Sequence, residues 1–435
     1  MRCGKPLQRE PPTRPAGTGE LTRADVDAWL DGIVPSALER EGIAGATVSV
    51  VHDGQVLTER GFGFADTGAG GTPATVVDPS TTLFRIGSIS KLVTATAVMQ
   101  LVAAGRLDLD APVADTLDFE LPTRFAEPVT LRHLLTHTAG SEDRIAGVIL
   151  PAGGSPPTLR DEVSLDPPEQ IYAPGTTPSY SNHSNALAAY LVERVTAEPY
   201  SRYVQHEVLD RAGMAMATLD QPLPARLRAQ MSKGYESSRS QEVPFEVVGP
   251  APAVALSASA ADMSSFMLAQ LDTDGSTTSR LLDAQTLTRM QQPALGADSL
   301  GGLAAGPRMA LGFFEQDRNG HRILGHGGDL TAFHAQLQLY PDDDTGVFVA
   351  VNSVGTRPDS TTALRDQICT ASRTATTRTP DRRRGLCRPP RSTDPRPPAP
   401  ISSRGAARTR SPACSGRSRG STWSPPATAV SPSRR

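Results

Sequence analysis

The chain has 435 residues, enough for two domains or one large one with a sizeable core. Its formal net charge of −3 conceals two regimes, because residues 371–435 hold 15 Arg and 2 Asp with no Lys or Glu, so residues 1–370 carry −16. Residues 4–368 contain no cysteine, which excludes a disulfide framework and a cysteine-based metal site from the core.

Residues 1–20, with Pro11, Pro12 and Pro15, and residues 370–435, with 11 prolines, hold too little apolar surface to offset their ordering entropy. Both are expected to be disordered. The Arg/Pro/Ser/Ala mixture of the tail is also what a GC-rich gene yields when read out of frame. No aromatic interleaving or nucleic-acid module accompanies the tail arginines, so no nucleic-acid partner is expected. The longest notable uncharged run, residues 92–105, is shorter than the ~20 residues a membrane span needs. The N-terminus lacks the apolar stretch of a secretory signal. As written the chain is expected to be cytoplasmic, and periplasmic or secreted if the start codon is misassigned.

In chain order, Val26, Leu30, Ile33, Val34 and Leu38 recur at helical spacing and predict a helix over 21–41. "ATVSVVHDGQVLTERGFGF" reads as two strands joined at Asp53-Gly54, a dipeptide suited to the positive φ angles of a tight hairpin. A helix apolar on most sides is expected from Ser88 to Gly105, and others at about 131–137, 184–197 and 200–212. Ser259 and Asp262 form the N-terminal cap of a further one. Strands return after residue 308 in "RMALGFFEQ", "HRILG", "FHAQLQLY" and "GVFVAVN", with Asn319-Gly320 as a turn. A last helix starts near Thr361. Strands at both ends and helices between them imply an α+β chain whose antiparallel sheet is assembled from both ends.

Only three residues are lysine, Lys5, Lys91 and Lys233, and every other cation is arginine. Arginine stays protonated at ordinary pH, whereas a buried lysine can lose its proton and act as a base. Lys91 follows Ser88 by three residues at a helix start, so the two side chains share a face. That is the spacing of a nucleophile and its base. Ser90 points around the helix and is a poor candidate. In Tyr180-Ser181-Asn182, before a helix, a tyrosine beside a lysine ammonium is expected to have its pKa lowered and carry protons, and the asparagine offers an amide to orient a substrate or the lysine. His326-Gly327-Gly328 ends a strand, where glycines let substrate approach and expose amide N–H groups. Each motif alone is weak, and the three in this order are specific.

These residues resemble the serine β-lactamase-like family, which includes class C β-lactamases, DD-peptidases, D-aminopeptidases and family VIII-type esterases. The resemblance rests on Ser88-Ile89-Ser90-Lys91, Tyr180-Ser181-Asn182 and His326-Gly327-Gly328, supported by "FRIGSISK" and "LRHLLTHTAG", and covers residues 21–369. It implies an antiparallel sheet with flanking helices plus an inserted, mostly helical domain. It further implies that Ser88 attacks a carbonyl, that Lys91 and Tyr180 relay protons, and that Asn182 and His326 bind substrate. The amides of Ser88 and Asp329, with Gly327 and Gly328 beside them, would form the oxyanion hole. The expected reaction is hydrolysis of an ester or small amide through an acyl-enzyme, without metal or cofactor. β-Lactamases usually carry Lys-Thr-Gly where this chain has His326-Gly327-Gly328, which removes a cation and a hydroxyl that hold a substrate carboxylate. A histidine charged only part of the time near neutral pH turns the expectation away from β-lactams.

The alternatives are D-amino-acid peptidase or β-lactamase activity, and a non-catalytic penicillin-binding-like sensor. A zinc site on His133 and His137, four apart and expected on one helix face, lacks the glutamate of His-Glu-x-x-His and a third ligand. Within residues 21–369, Gly-x-Ser-x-Gly and phosphate-binding glycine motifs are absent.

Overall fold

A computed structural model of the protein describes residues 21–151, 154–272, 281–306, 308–318 and 320–371. Of the segments expected to be disordered, 1–20 and 370–435, residues 370–371 instead end a helix, Ser360–Ala371, and the rest, with Asn319 of the second hairpin turn, lie outside the described residues.

The core of the fold is an eight-stranded antiparallel sheet built from β1 (Gly45–His52), β2 (Gln55–Asp66), β3 (Thr75–Val76), β4 (Arg308–Met309), β5 (Phe314–Arg318), β6 (His321–Asp329), β7 (His334–Tyr340) and β8 (Thr345–Val351). Its order is β3-β2-β1-β8-β7-β6-β5-β4, so the early hairpin and the late meander join through the β1–β8 pair. β1 is central and buried on both faces, which accounts for its near-continuous small and β-branched sequence. The turn after it has Asp53 at φ 47° and Gly54 at φ 70°, the two positive angles of the hairpin expected from that dipeptide.

Alternation along the strands builds two hydrophobic layers. Ala46, Val48, Val50, Val347, Val349 and Val351 face a layer made by two terminal helices. The first, Arg23–Glu41, is capped by Thr22, whose hydroxyl accepts from the Asp25 amide, and buries Val26, Leu30, Val34 and Leu38 at one-turn spacing. The second, Ser360–Ala371, adds Leu364 and Ile368 to the same layer.

The opposite face packs on the helices that intervene in sequence between β3 and β4. Chief among them is Ser90–Ala103, with eleven of its fourteen residues buried, which explains a helix apolar on most sides. Helices Leu131–Leu135, Asn182–Thr196, Ala251–Val254 and Ala260–Leu271 surround it, the last capped by Ser259 and Asp262 as the sequence predicts. The predicted helix over 131–137 stops at Leu135, and His137 takes φ 54° beyond its end. His133 and His137 therefore do not share a helix face, which corrects that expectation. Among the described residues, no helix is long and apolar enough to cross a membrane.

Candidate active site

Ser88 lies in a single 3-10 turn, Gly87–Ile89, that leads directly into the Ser90–Ala103 helix. Two neighbours hold this turn. A two-residue ribbon pairs Phe84 with Ala258 and Arg85 with Ser257, and Ile86 N–H donates to Leu256 O at 3.0 Å. Ser90 Oγ donates to Gly87 O at 2.6 Å and accepts from Leu256 N–H at 3.0 Å, so this serine braces the turn. On the other side passes the end of β6. A Cβ on Gly87 would lie 2.8 Å from the Asp329 amide nitrogen, and one on Gly328 would lie 3.0 Å from the Ser88 amide nitrogen. Two backbone stretches from distant parts of the sequence thus meet without room for a side chain between them.

Lys91 is one turn along, 1% exposed, and its Nζ has three polar neighbours: Ser88 Oγ at 3.0 Å, Asn182 Oδ1 at 2.8 Å and Ala253 O at 3.0 Å. Burial penalises the ammonium form and lowers its pKa from 10.5 to about 7, against the opposing pull of the Asp143 carboxylate. Ser88 also accepts a hydrogen bond from Tyr180 OH at 2.8 Å. The expectation of an acidified tyrosine is overturned here. The Tyr180 ring lies 4.9 Å from Lys91 Nζ, yet burial pushes the phenol well above its ordinary value, because loss of solvent outweighs the Ser88 hydrogen bond that lowers it.

Asn182 is the first residue of the Asn182–Thr196 helix, and Ser181 caps it by accepting from Ser184 N–H at 3.1 Å. His326 is 3% exposed on β6 between Phe314 and Tyr180, with ring centroids 5.1 and 6.2 Å away. Burial, with Lys91 nearby, drives its pKa to about 3, so the imidazole is neutral at pH 7 rather than partly charged as expected. Gly327 and Gly328 follow on the same strand, and the Asp329 carboxylate is turned to His334 Nδ1 at 2.7 Å and Arg365 Nη2 at 3.0 Å.

The structure adds Asp143, which the sequence did not single out, and gives His133 and His137 separate structural roles. Asp143 accepts from the Asn182 backbone and side-chain amides at 3.1 and 3.3 Å. His137 Nδ1 accepts from Ser181 N–H at 3.2 Å, and its ring packs 4.4 Å from that of Tyr180, fixing the segment that presents the phenol. His133 instead caps its own short helix by accepting from Thr130 N–H. A cavity of about 240 Å³ lies against Asn182 with Val148, Leu165 and Pro250 in its wall and Arg144, Asp161 and Glu162 beside them.

Comparison with known proteins agrees with this architecture. The model of the family described as Beta-lactamase matches residues 30–371. Esterase EstB of Burkholderia gladioli is 35% identical over 213 residues, covering 45% of this chain and 52% of that protein. The Beta-lactamase of Yersinia enterocolitica is 27% identical over 257 residues, covering 58% of this chain and 61% of that one. The chain therefore spans little more than half the length of these curated relatives. A solved structure described as a beta-lactamase/D-alanine carboxypeptidase from Yersinia pestis superposes with a TM-score of 0.64 at 22% identity, covering 80% of this chain and 98% of that one, and so shares its fold. With a family match across most of its length, the chain belongs to the beta-lactamase family.

Proposed function

We propose that this protein is a serine hydrolase that cleaves uncharged esters or small amides through an acyl-enzyme on Ser88. One observation carries the reading: a buried lysine with pKa about 7 has two carbonyl oxygens and one serine hydroxyl around its nitrogen. A neutral amine has two N–H bonds and one lone pair. Asn182 Oδ1 and Ala253 O can only accept, so they take the two N–H bonds, and the lone pair is left facing Ser88 Oγ–H.

In the acylation step, Lys91 Nζ takes the Ser88 proton as Oγ bonds to the substrate carbonyl carbon. The carbonyl π electrons move to oxygen, which accepts hydrogen bonds from the amides of Ser88 and Asp329. As the intermediate collapses, the bond to the leaving group breaks, and the alcohol or amine departs with a proton from Tyr180 that Lys91 replaces. Tyr180 suits this role because its phenol stays protonated across the working pH range. Water, with its proton taken by Lys91, then attacks the acyl carbonyl, and as the intermediate collapses the bond to Oγ breaks and Lys91 returns the proton to Ser88, releasing the acid.

The preference for uncharged substrates follows from His326, whose neutral ring supplies no cation for a carboxylate. The esterase among the relatives is consistent with this preference.

The test is a panel of p-nitrophenyl esters, D-amino-acid amides and nitrocefin on wild type and Ser88→Ala, with mass spectrometry after a fluorophosphonate. Turnover of esters that disappears in Ser88→Ala, together with an adduct on Ser88, is the expected outcome. Equal activity in the two proteins overturns the reading. An adduct from activated ester that never hydrolyses would make the protein a sensor instead.

A further inference from the structure

Asn182 bridges two groups of opposite character. Its Oδ1 accepts from Lys91 Nζ at 2.8 Å, and its Nδ2 donates to the Asp143 carboxylate, 3.3 and 3.4 Å from the two oxygens. The Asn182 backbone N–H donates to Asp143 Oδ1 as well, at 3.1 Å. The two ends of a carboxamide are nearly alike in shape, so its orientation is set by whatever faces each end. A carboxylate only accepts. Turning the amide over would set Nδ2 against the Lys91 N–H bonds and Oδ1 against the Asp143 oxygens, two repulsive contacts in place of two hydrogen bonds.

We propose that Asp143 is a positioning residue: its carboxylate locks the Asn182 amide with the oxygen on Lys91, which engages one lysine N–H and keeps the lone pair directed at Ser88. The inference rests on the reading of Lys91 as the base for Ser88. It assigns a role to a side chain in the segment after the Leu131–Leu135 helix that none of the sequence motifs includes.

Asp143 also acts through its charge, which favours the ammonium form of Lys91. The other groups facing Lys91 carry no charge that competes with this near neutrality. They are the Ser88 and Tyr180 hydroxyls and the imidazoles of His137 and His326, both held neutral by burial. Orientation and charge therefore separate by substitution. Asp143→Asn keeps an oxygen that can accept from both Asn182 amides and loses the charge, whereas Asp143→Ala loses both.

The experiment measures kcat and KM against pH for a neutral p-nitrophenyl ester. The proteins are wild type, Asp143→Ala, Asp143→Asn, Asn182→Ala and the Asn182→Ala/Asp143→Ala double variant, each checked by thermal melting. Asp143→Ala is expected to lower kcat about tenfold or more with KM little changed, the cost of a mispositioned catalytic group. Asp143→Asn should recover most of that loss. In both variants the acid limb of the profile should move to lower pH, because the anion that favours the Lys91 ammonium is gone. On the Asn182→Ala background Asp143→Ala should cost little further kcat, as expected of a residue acting through Asn182. A wild-type kcat in Asp143→Ala, an equal loss on both backgrounds, or an unmoved acid limb overturns the proposal. Failure of the parent reading looks different, since then Ser88→Ala itself retains wild-type activity.

Discussion

Gly328 and Ser88 are in backbone contact: a β-carbon on Gly328 would stand 3.0 Å from the Ser88 amide nitrogen and 2.9 Å from the carbonyl carbon of Ile86. The contact is with main chain, which cannot rotate away as a side chain can. Gly328→Ala must therefore push β6 off the Ser88 turn and separate the two amides proposed to hold the oxyanion. The expected outcome is a fall in kcat/KM of about 10²-fold, with a stability loss of roughly 1–3 kcal/mol, read by ester hydrolysis and denaturant unfolding. Gly327→Ala is the comparison. Its β-carbon would meet Gln336 Oε1 at 3.1 Å, the free end of a flexible side chain, so it should cost far less in both measurements.

As the proposed base for Ser88, Lys91 should set the acid side of the pH profile. Below about 7 the amine is an ammonium, all of its N–H bonds point at acceptors, and no lone pair is left for Ser88. Above that value the base is present. kcat/KM for an uncharged ester should therefore rise with pH through about 7 and level off. Lys91→Arg keeps the charge and removes the base, since a guanidinium does not deprotonate at ordinary pH. Its expected kcat is lower by about 10²- to 10⁴-fold, the usual worth of a general base, with no recovery at higher pH. A Lys91→Arg enzyme that gains activity in parallel with wild type as pH rises would assign the limb to another group.

Tyr180→Phe keeps the ring that packs against His137 and Phe314 and removes the hydroxyl bound to Ser88. Folding and KM should change little, and kcat should fall about 10²-fold. Because burial raises the phenol's pKa, no tyrosinate forms in the ordinary assay range, and the wild-type profile should stay flat on its alkaline side up to about the usual phenol value of 10. A wild-type alkaline limb below that value that vanishes in Tyr180→Phe would show that the phenol ionises in the assay range after all.

What could be read from the sequence was what local spacing determines. The Arg23–Glu41 helix, the Asp53-Gly54 hairpin and the Ser259 cap depend on neighbours within a few positions, and so does the meeting of Ser88 with Lys91. Asp143 was illegible because it sits between elements, outside any periodic pattern, and reaches a partner 39 positions away. The Ala253 carbonyl has no residue signature at all, since any side chain at that position would leave the same acceptor for Lys91. The pKa errors share one cause. Charge neighbours can be guessed from motifs, but the burial that dominates at Tyr180 and His326 emerges only when the helices close over the sheet.

His326 is where the site departs most from a carboxylate-binding one, and the departure can be reversed by one substitution. The native ring is buried and neutral at pH 7, so a substrate carboxylate placed there would lose solvent and gain no counter-charge. His326→Lys supplies an ammonium at the same position on β6. The relevant quantity is the ratio of kcat/KM for nitrocefin, which bears a carboxylate, to that for an uncharged p-nitrophenyl ester. Wild type should favour the neutral ester, and the substitution should raise the ratio about tenfold, a change within the energy of one charge pair in a partly screened site. A second cation beside Lys91 also disfavours the Lys91 ammonium, so the acid limb with the neutral ester should move to lower pH. A ratio that stays constant while the limb moves would mean that the new charge is present but that substrate carboxylates do not approach this strand.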